Sequence, residues 1–403
     1  MKYRLIDAEK DHHDVSLLAR VLGVSRQGYY AWAKRGPSAR ARRDAELTEK
    51  IRRHHTASDE IYGAPRIHAD LREIDGEKVG RKRVARLMRA AGLAGVSRRR
   101  GCRTTIADRR AAAASDYVDF YASEHHAANL GQIFRPTQAP LTPNWKHLPI
   151  GYHGRAGTVV VSGTPVTRPA GQYIVPDAAS PAFGPSRRLD IEAEIGFVVG
   201  TPSALGGSVP AAAFTEHVFG VVLVNDWSAR DIQAWEYTPL GPFLGKSFAT
   251  SVSPWVVPVD ALAAARVAPH QDPAPLPYLS DGERWGLDIT MEIRLNGHLI
   301  SRPPFGSTYW TADQQLAHMT CNGASLRTGD LYASGTVSGP HPDQRGSLIE
   351  LTWNGADPLE LPDGSRRAYL MDGDTVTISA SARSADGTRL GFGEVTGTIE
   401  PNR

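Results

Sequence analysis

The charge of this chain changes sign near residue 112. Residues 1–112 hold 27 Lys and Arg against 14 Asp and Glu, a formal charge of +13, whereas residues 113–403 carry −10. A basic segment suits a polyanionic partner and an acidic body does not, so the chain is expected to combine two unrelated pieces. The length of 403 residues allows two or three domains with a large core. We therefore predict a multidomain α+β protein with a helical segment at 1–100, a linker at 101–115 and a body at 116–403.

The front segment has the apolar spacing of amphipathic helices. Apolar residues recur at helical intervals over 15–22, and Ser25 is placed to cap a second helix that carries Tyr29 and Trp32. This pair outlines a helix-turn-helix. Two more helices are predicted, over 41–55 and 79–91. The run 81–110 holds 11 basic residues and one acid, which suits a phosphate-binding surface, but a solvated charged face explains the same run.

The body is predicted to be mainly β. Short apolar runs such as VVVSG, IGFVVG and FGVVLVND alternate with Gly and Pro turn signals, and long helical patterns are scarce. Glu192 and Glu194 are two residues apart in one such run, so they share a face of the strand. Asp226 ends another run, and Asp119 is a fourth candidate. Carboxylates of this kind suit Mg²⁺ or Ca²⁺, whereas an exposed strand edge is the alternative explanation of the glutamate pair.

A helix is predicted directly after Asp226. Ser228 is placed to cap it. Its predicted polar face, with Lys246 close by in sequence, carries Arg230, Gln233 and Tyr237. These donors can converge on a developing negative charge, but a polar helix face can equally be a solvated surface.

The first residues of the chain and its two cysteines indicate the cellular compartment of the protein. The opening residues, MKYRLIDAEKDHH, are charged where a signal peptide needs an apolar run, and no apolar stretch reaches the ~20 residues that span a bilayer. Cys102 and Cys321 are far apart, which argues against a disulfide framework and for a reducing compartment. We expect a cytoplasmic protein that does not contact a membrane.

The front segment resembles the helix-turn-helix region of insertion-sequence transposases. Three stretches carry the resemblance: VSLLARVLGVSRQGYYAW, IYGAPRIHADL and VGRKRVARLMRAAGLAGVSRRRG. It covers about residues 1–112 and implies residual DNA binding. Such transposases also need a core of three acidic residues that hold two Mg²⁺ for phosphoryl transfer. Residues 113–403 resemble no such core, so transposition is not expected.

The body resembles the fumarylacetoacetase family over residues 116–403. The resemblance is carried, in order, by DYVDFYASEHHAANLGQIFR, NWKHLPIGYHGRAGTVVVSGTP, LDIEAEIGFVVG, VNDWSARDIQAWEYTPLGPFLGKSFATSVSPWVV, LRTGDLYASGTVSG and GFGEVTG. It implies a mixed β-sandwich roll, usually homodimeric, preceded by a small β-barrel domain. The implied activity is metal-dependent hydrolysis of fumarylacetoacetate, a β-diketone dicarboxylate, to fumarate and acetoacetate, the last step of tyrosine and phenylalanine breakdown.

The same resemblance implies roles for individual residues. His126 would be the general base that activates water, and Glu350 would orient it. The oxyanion and the departing enolate would be stabilised by Arg230, Gln233 and Lys246. The substrate would be held by Tyr121, Arg135, Gln233, Tyr237 and Thr336. A catalytic Mg²⁺ or Ca²⁺ would be held by Asp119, Glu192, Glu194 and Asp226, with Lys246 and Thr250 beside a second, structural Mg²⁺ shared with Asp226.

One departure from the family pattern bears on activity. The transposase-like segment stands where the family has its barrel, so the strand that carries Asp119 and Tyr121 could be impaired and an apolar seam exposed. Two alternatives follow: a DNA-binding remnant with an inactive hydrolase body, or a related superfamily hydrolase or decarboxylase of another β-keto acid. The last alternative is disfavoured by the set Tyr121, Arg135 and Tyr237, which matches the fumarylacetoacetase pattern.

Overall fold

The computed structural model describes residues 2–36, 38–58, 61–94 and 114–402. The chain divides into two units, Met1–Ile106 and Ala107–Arg403. The predicted linker 101–115 lies almost wholly outside the described residues, so the domain boundaries stay a prediction. Within the described ranges, no helix is both long and apolar enough to cross a membrane.

The first unit is helical, as predicted. Its helices are α1 Lys2–Glu9, α2 Val15–Val21, α3 Arg26–Ala33, α4 Ala39–Ala57, α5 Ala64–Glu73 and α6 Arg81–Ala90. Ser25 caps α3 by accepting a hydrogen bond from the backbone N–H of Gly28 (2.8 Å), which confirms the predicted start of that helix. Helix α4 extends beyond the predicted range 41–55 at both ends.

Apolar helix faces form two small cores among the described residues of this unit. One joins α4, α5 and α6 through Leu47, Ile51, Ile67, Leu71, Val84, Leu87 and Met88. The other joins α1, α2 and α3 through Ile6, Ala19 and Tyr29. The basic residues of α6 divide into two groups. Arg83 and Arg86 pair with Asp44, whereas Arg81, Lys82 and Arg89 are exposed and form no ion pair within the described residues.

The second unit is mainly β. Its strands are β1 Tyr117–Phe120, β2 Gly151–His153, β3 Val159–Val161, β4 Val166–Thr167, β5 Ala170–Tyr173, β6 Ala182–Pro185, β7 Leu189–Asp190, β8 Ala193–Val199, β9 Val218–Asp226, β10 Ser228–Ala229, β11 Thr250–Val252, β12 Val257–Pro258, β13 Arg266–Val267, β14 Gly286–Leu287, β15 Ile289–Leu295, β16 His298–Ser301, β17 Leu331–Ala333, β18 Leu359–Glu360, β19 Arg366–Arg367, β20 Thr375–Arg383 and β21 Arg389–Glu400. Its helices are α7 Glu124–Phe134, α8 Phe214–His217, α9 Arg230–Glu236, α10 Ala312–Thr320 and α11 Leu348–Leu351.

One sheet positions the acidic residues. Its strand order is β2-β1-β17-β8-β9-β11-β3, with β12 beside β9. Strand β1 runs parallel to β17, and β9 is antiparallel to both β8 and β11. Asp119 on β1, Glu194 on β8 and Asp226 at the end of β9 therefore belong to the same sheet. The apolar run of β9 is almost entirely buried, as expected of a central strand.

A second sheet, β16-β15-β20-β21-β4, shares the core of the first. One cluster contains Ile195 and Leu223 from the first sheet and Met291, Ile378 and Val395 from the second. Along β20 buried and more exposed residues alternate, which is the period expected of a strand with one face in the core. The predicted multidomain α+β class, with a mainly β body, is confirmed.

The predicted helix cap at Ser228 is wrong. Ser228 belongs to β10, which pairs with β7, and α9 begins at Arg230 after Ala229. Its hydroxyl instead donates to the backbone oxygen of Asp226 (3.0 Å). A serine before a helical pattern is a local signal, and it cannot show that the same residue pairs with a strand far earlier in the chain.

Candidate active site

His126 and Glu350 meet in the interior of the second unit. His126 lies in the first turn of α7, which Ser123 caps by accepting a hydrogen bond from the His126 backbone N–H (3.3 Å). The Nδ1–H of the imidazole donates to Oε2 of Glu350 (2.7 Å), and both side chains are buried. Nε2 is then the ring nitrogen that can accept a proton.

Three further donors hold the Glu350 carboxylate. Asn129 donates to Oε1 (2.9 Å), Ser347 donates to Oε2 (2.6 Å), and the hydroxyl of Ser338 lies 2.9 and 3.0 Å from the two oxygens. Although burial works against ionisation, His126 and the hydrogen bonds from Asn129 and Ser347 lower the pKa of Glu350. Glu350 is therefore an ionised group that orients the imidazole.

Four buried carboxylates, called the acidic cluster below, converge in the same unit. They belong to Asp119, Glu192, Glu194 and Asp226, and one oxygen of each lies within 4.8 Å of the others. In the described part of the chain, no hydrogen-bond donor reaches either oxygen of Glu194 or Oδ1 of Asp119. Buried carboxylate oxygens without donors are expensive unless a cation satisfies them. The cluster therefore fits a hard divalent ion, which prefers oxygen ligands.

The members of the acidic cluster differ in charge. Burial and the neighbouring carboxylates raise the pKa of Glu194 and of Asp119 well above 4.5 and 3.8, respectively. Glu192 is different: burial opposes its ionisation, but Lys246 and Arg230 together lower its pKa. Nη2 of Arg230 lies 2.8 Å from Oε1 of Glu192, and Nζ of Lys246 contacts Oε2. Two cations thus flank one firmly ionised carboxylate.

Lys246 also reaches Asp226. Its Nζ donates to Oδ2 (2.9 Å), where the hydroxyl of Tyr152 donates as well (3.0 Å), and Thr250 donates to Oδ1 (2.7 Å). Although burial works against the charge, the carboxylates of Asp226 and Glu192 raise the pKa of Lys246, so the side chain is an ammonium. The predicted place of Lys246 and Thr250 beside a second Mg²⁺ stays a prediction.

Two of the predicted substrate-binding residues are close to the base or buried. The ring of Tyr121 lies edge-on to the imidazole of His126, with centroids 5.3 Å apart. Thr336 is buried, and its hydroxyl has no hydrogen-bond partner within the described residues. A buried hydroxyl without a partner is a natural anchor for a ligand oxygen.

The other predicted substrate-binding residues are more exposed. Nη1 of Arg230 donates to Oε1 of Gln233 (3.3 Å), so these two predicted partners do meet on α9. Tyr237 follows the end of α9 and is 52% exposed. Arg135 follows the end of α7 and donates to the backbone oxygen of Pro140 (3.3 Å). Their contact with substrate stays a prediction.

Sequence analysis overlooked several partners of these residues. Asn129 lies three residues after His126 on one helix, a spacing that places both on one face and that could have found it. Asp190, which accepts a hydrogen bond from Nε of Arg230, stands two residues before Glu192 in the run LDIEAE. Ser347 stands three residues before Glu350 at the start of α11, an S-x-x-E spacing that could also have found it. Ser338 lacks such a signal, because it lies outside regular elements and meets Glu350 only in the folded chain.

Comparison with known proteins gives three kinds of match. Residues 116–400 match the family model of the fumarylacetoacetate (FAA) hydrolase C-terminal domain, and residues 41–101 match an HTH-like domain. Fumarylacetoacetase of Homo sapiens is 52% identical over 293 residues, which cover 71% of this chain and 70% of that protein. Fumarylacetoacetase of Arabidopsis thaliana is 51% identical over 294 residues, with 71% and 69% covered. The solved structure of a fumarylacetoacetate hydrolase from psychrophilic Exiguobacterium antarcticum is 18% identical, with a TM-score of 0.43 and coverage of 71% and 75%.

The family model and the two fumarylacetoacetases define the body as that of a hydrolase. The chain belongs to the fumarylacetoacetate hydrolase family, and the buried acidic cluster is its candidate metal centre. The resemblance of the front segment to a transposase helix-turn-helix region is confirmed as well. The matched range begins at residue 41, however, after the helix pair at 15–32 that the spacing of apolar residues singled out.

Proposed function

We propose that this chain hydrolyses fumarylacetoacetate to fumarate and acetoacetate. The observation that carries the proposal is the buried hydrogen bond between His126 and Glu350, in the same unit as a four-carboxylate cluster flanked by Arg230 and Lys246. The named activity of relatives that are about half identical over the same region supports it.

The reaction requires an activated water and a site that tolerates an enolate. His126 Nε2 takes a proton from water, and the water oxygen adds to a carbonyl carbon of the diketone to give an oxyanion. Glu350 stabilises the imidazolium that results. Collapse of the oxyanion breaks the adjacent carbon–carbon bond, and the electron pair leaves as the enolate of acetoacetate, which takes up the proton that His126 removed from water.

We assign the stabilisation of this negative charge to three side chains: Arg230, Gln233 and Lys246. Glu192 already fixes both cations, so little reorganisation is needed when the charge develops. The acidic cluster would hold Mg²⁺ or Ca²⁺, which when bound acts as a Lewis acid toward the diketone oxygens. Thr250 and Lys246 would lie beside a second Mg²⁺ at Asp226.

Substrate orientation is assigned to the residues around the base. The buried hydroxyl of Thr336 and the phenol of Tyr121 would contact the diketone, together with Gln233. Arg135 presents a planar fork that suits a terminal carboxylate, and Tyr237 would contact the other end of the substrate.

We also propose a homodimer in a reducing, cytoplasmic compartment. Trp235, Leu240 and Phe243 are large apolar residues that are exposed within nine residues of the chain, and exposed apolar residues suit an interface. Cys321 is a free, exposed thiol, which supports a reducing compartment.

Strand β1, which carries Asp119, pairs with β17 on one side and with β2 on the other. This pairing supports a folded acidic cluster without a preceding barrel.

Product analysis tests the proposed reaction. The purified full chain is incubated with fumarylacetoacetate and Mg²⁺ or Ca²⁺, alongside other β-diketo and β-keto acids. Equal amounts of fumarate and acetoacetate support the proposal. Faster conversion of another substrate, or release of carbon dioxide, identifies the related hydrolase or decarboxylase instead.

DNA binding by the first unit is a second candidate function. The HTH-like match and the exposed Arg81, Lys82 and Arg89 on α6 favour it. Arg83 and Arg86 of the same run pair with Asp44, and its basic residues from 98 to 110 lie outside the described residues. Fluorescence anisotropy of the full chain on duplex DNA should show salt-sensitive binding, with a shallower log–log slope after alanine replacement of these three residues. Alanine at Arg294, Arg302 and Arg327 is the charge-matched control. Absence of binding at low salt contradicts this function.

A further inference from the structure

Asp190 is a fully buried carboxylate that the proposed chemistry leaves without a role. It ends β7 and has an exposed fraction of 0%. Its Oδ1 accepts hydrogen bonds from the backbone N–H groups of Ile191 and Leu348 (2.7 Å each). Its Oδ2 accepts from Nε of Arg230 (2.8 Å) and from the backbone N–H of Ile349 (3.1 Å). Four donors thus fix one carboxylate.

The partners of Asp190 belong to two parts of the candidate site. Leu348 and Ile349 are the two residues immediately before Glu350 in α11, so Asp190 holds the backbone from which Glu350 projects. Arg230 is the guanidinium that also pairs with Glu192. One carboxylate therefore links the group that orients the base to a group that stabilises negative charge.

We propose that Asp190 is a positioning residue that sets Glu350 and Arg230 in one fixed arrangement. The proposal rests on the proposed function, because it assigns roles to those two residues. Catalytic groups work only when they are held within a fraction of an ångström of the productive geometry. A buried charge that joins two such groups does so rigidly, because breaking any of its bonds leaves an unpaired donor in the interior.

Asp190→Asn is the informative substitution. The asparagine keeps the size of the side chain, but its amide NH₂ would face groups that all donate, so contacts with Arg230 or with the α11 backbone must be lost. A buried carboxylate elsewhere in the unit supplies a matched control. Asp374 is likewise buried and accepts from an arginine, Arg367, and from the backbone N–H of Met371. Asp374→Asn thus removes a comparable buried charge away from the candidate site.

Kinetics and thermal melting of the two variants separate positioning from stability. We expect both variants to lower the melting temperature by similar amounts, and only Asp190→Asn to lower kcat, by about 10- to 100-fold with a smaller change in KM. Combined with Arg230→Lys, Asp190→Asn should cost less than the product of the two single effects, because both act on the same contact. Equal kcat values for Asp190→Asn and Asp374→Asn would overturn the proposal. If Asp190→Asn does not fold, Asp190→Glu takes its place with the same outcomes.

A spectroscopic measurement tests Asp190 without turnover. In protein with ¹⁵N-labelled histidine, Asp190→Asn should shift the Nδ1–H resonance of His126, because Glu350 moves, whereas Asp374→Asn should leave it in place. An unchanged resonance in Asp190→Asn would contradict the positioning role. If the wild-type chain hydrolyses no fumarylacetoacetate, the proposed function fails by itself, and this resonance still decides the role of Asp190.

Discussion

Nδ1 of His126 lies 2.7 Å from Oε2 of Glu350, although 224 residues separate the two in the chain. The carboxylate is buried and ionised, and Asn129, Ser338 and Ser347 hold it in place. Such a pair selects one imidazole tautomer and stabilises the cation that forms when the ring takes a proton. It is the feature on which the proposed hydrolysis depends.

Glu350→Gln should therefore lower kcat by about 100-fold or more, within the range typical of lost general-base catalysis. The change keeps the volume of the side chain but removes the charge that stabilises the imidazolium. Steady-state kinetics on fumarylacetoacetate measures the effect. Glu292→Gln, which removes a half-buried carboxylate paired with Arg294 and Arg302, is the control and should stay near the wild-type rate. Wild-type activity in Glu350→Gln would contradict the role of the pair.

Lys246→Met tests the ammonium between Glu192 and Asp226. Its loss leaves buried carboxylates without their partner, which should lower the free energy of unfolding of the metal-free protein by about 3 kcal/mol. Denaturant titration measures this. Lys146→Met removes a more exposed pair with Glu124 (2.8 Å) and should cost about 1 kcal/mol or less. Equal costs for the two variants would show that Lys246 does not neutralise the acidic cluster.

The acidic cluster predicts how pH and metal act together. A carboxyl whose pKa is higher in the folded than in the unfolded protein stabilises the fold below its ordinary pKa, and this contribution is lost as pH rises through the folded value. Glu194 and Asp119 have such raised pKa values, with ordinary values of 4.5 and 3.8. The metal-free protein should thus lose this contribution toward neutral pH, and a divalent ion should restore it by binding the ionised forms.

The measurement is the rise in melting temperature on adding Mg²⁺ or Ca²⁺ at several pH values. The rise should be larger near about pH 8 than near about pH 5, because protons compete with the ion for the same oxygens. Glu194→Gln should reduce the rise at the higher pH. A rise that is independent of pH, or that survives in Glu194→Gln, would contradict metal binding by these carboxylates.

Gly131 lies in α7, the helix that carries His126, at a position with no room for a larger side chain. A Cβ at this position would lie 1.8 Å from the backbone oxygen of Pro140. The chain can relieve this contact only by moving α7 or the segment that contains Pro140. Gly131→Ala should lower the free energy of unfolding by about 2 kcal/mol or more. Gly157→Ala is the control, because nothing lies within 4 Å of its Cβ position. Equal melting temperatures for the two variants would show that the packing here is looser than described.

Local patterns in the sequence predicted much of the fold. The apolar run that ends at Asp226 predicted a buried strand, which is what the structure shows. The spacing of Glu192 and Glu194 predicted one shared strand face; both carboxylates do reach the acidic cluster, but Glu192 precedes β8 and does not lie in it. These features depend on neighbours in sequence, for which the period of a strand is sufficient. The cap predicted at Ser228 failed because strand pairing between distant segments overrode the local pattern.

The residues of the candidate site were predicted mainly from resemblance to a family, and less from their spacing in the sequence. No periodicity connects His126 with Glu350, since strand order and a short helix more than 200 residues later bring them together. The same applies to Asp190, whose partners at Leu348 and Ile349 are distant in sequence. Long-range packing of this kind appears only in the folded chain.

The most direct test of the account compares His126→Ala with His125→Ala in the full chain, loaded with Mg²⁺ or Ca²⁺. His125 is the adjacent residue on α7 and has no assigned role, so both variants remove an imidazole from the same helix. We predict that His125→Ala hydrolyses fumarylacetoacetate at close to the wild-type rate and that His126→Ala does so at least about 100-fold more slowly. Hydrolysis by His126→Ala at the wild-type rate, or no hydrolysis by folded, metal-loaded wild-type protein, would contradict the account.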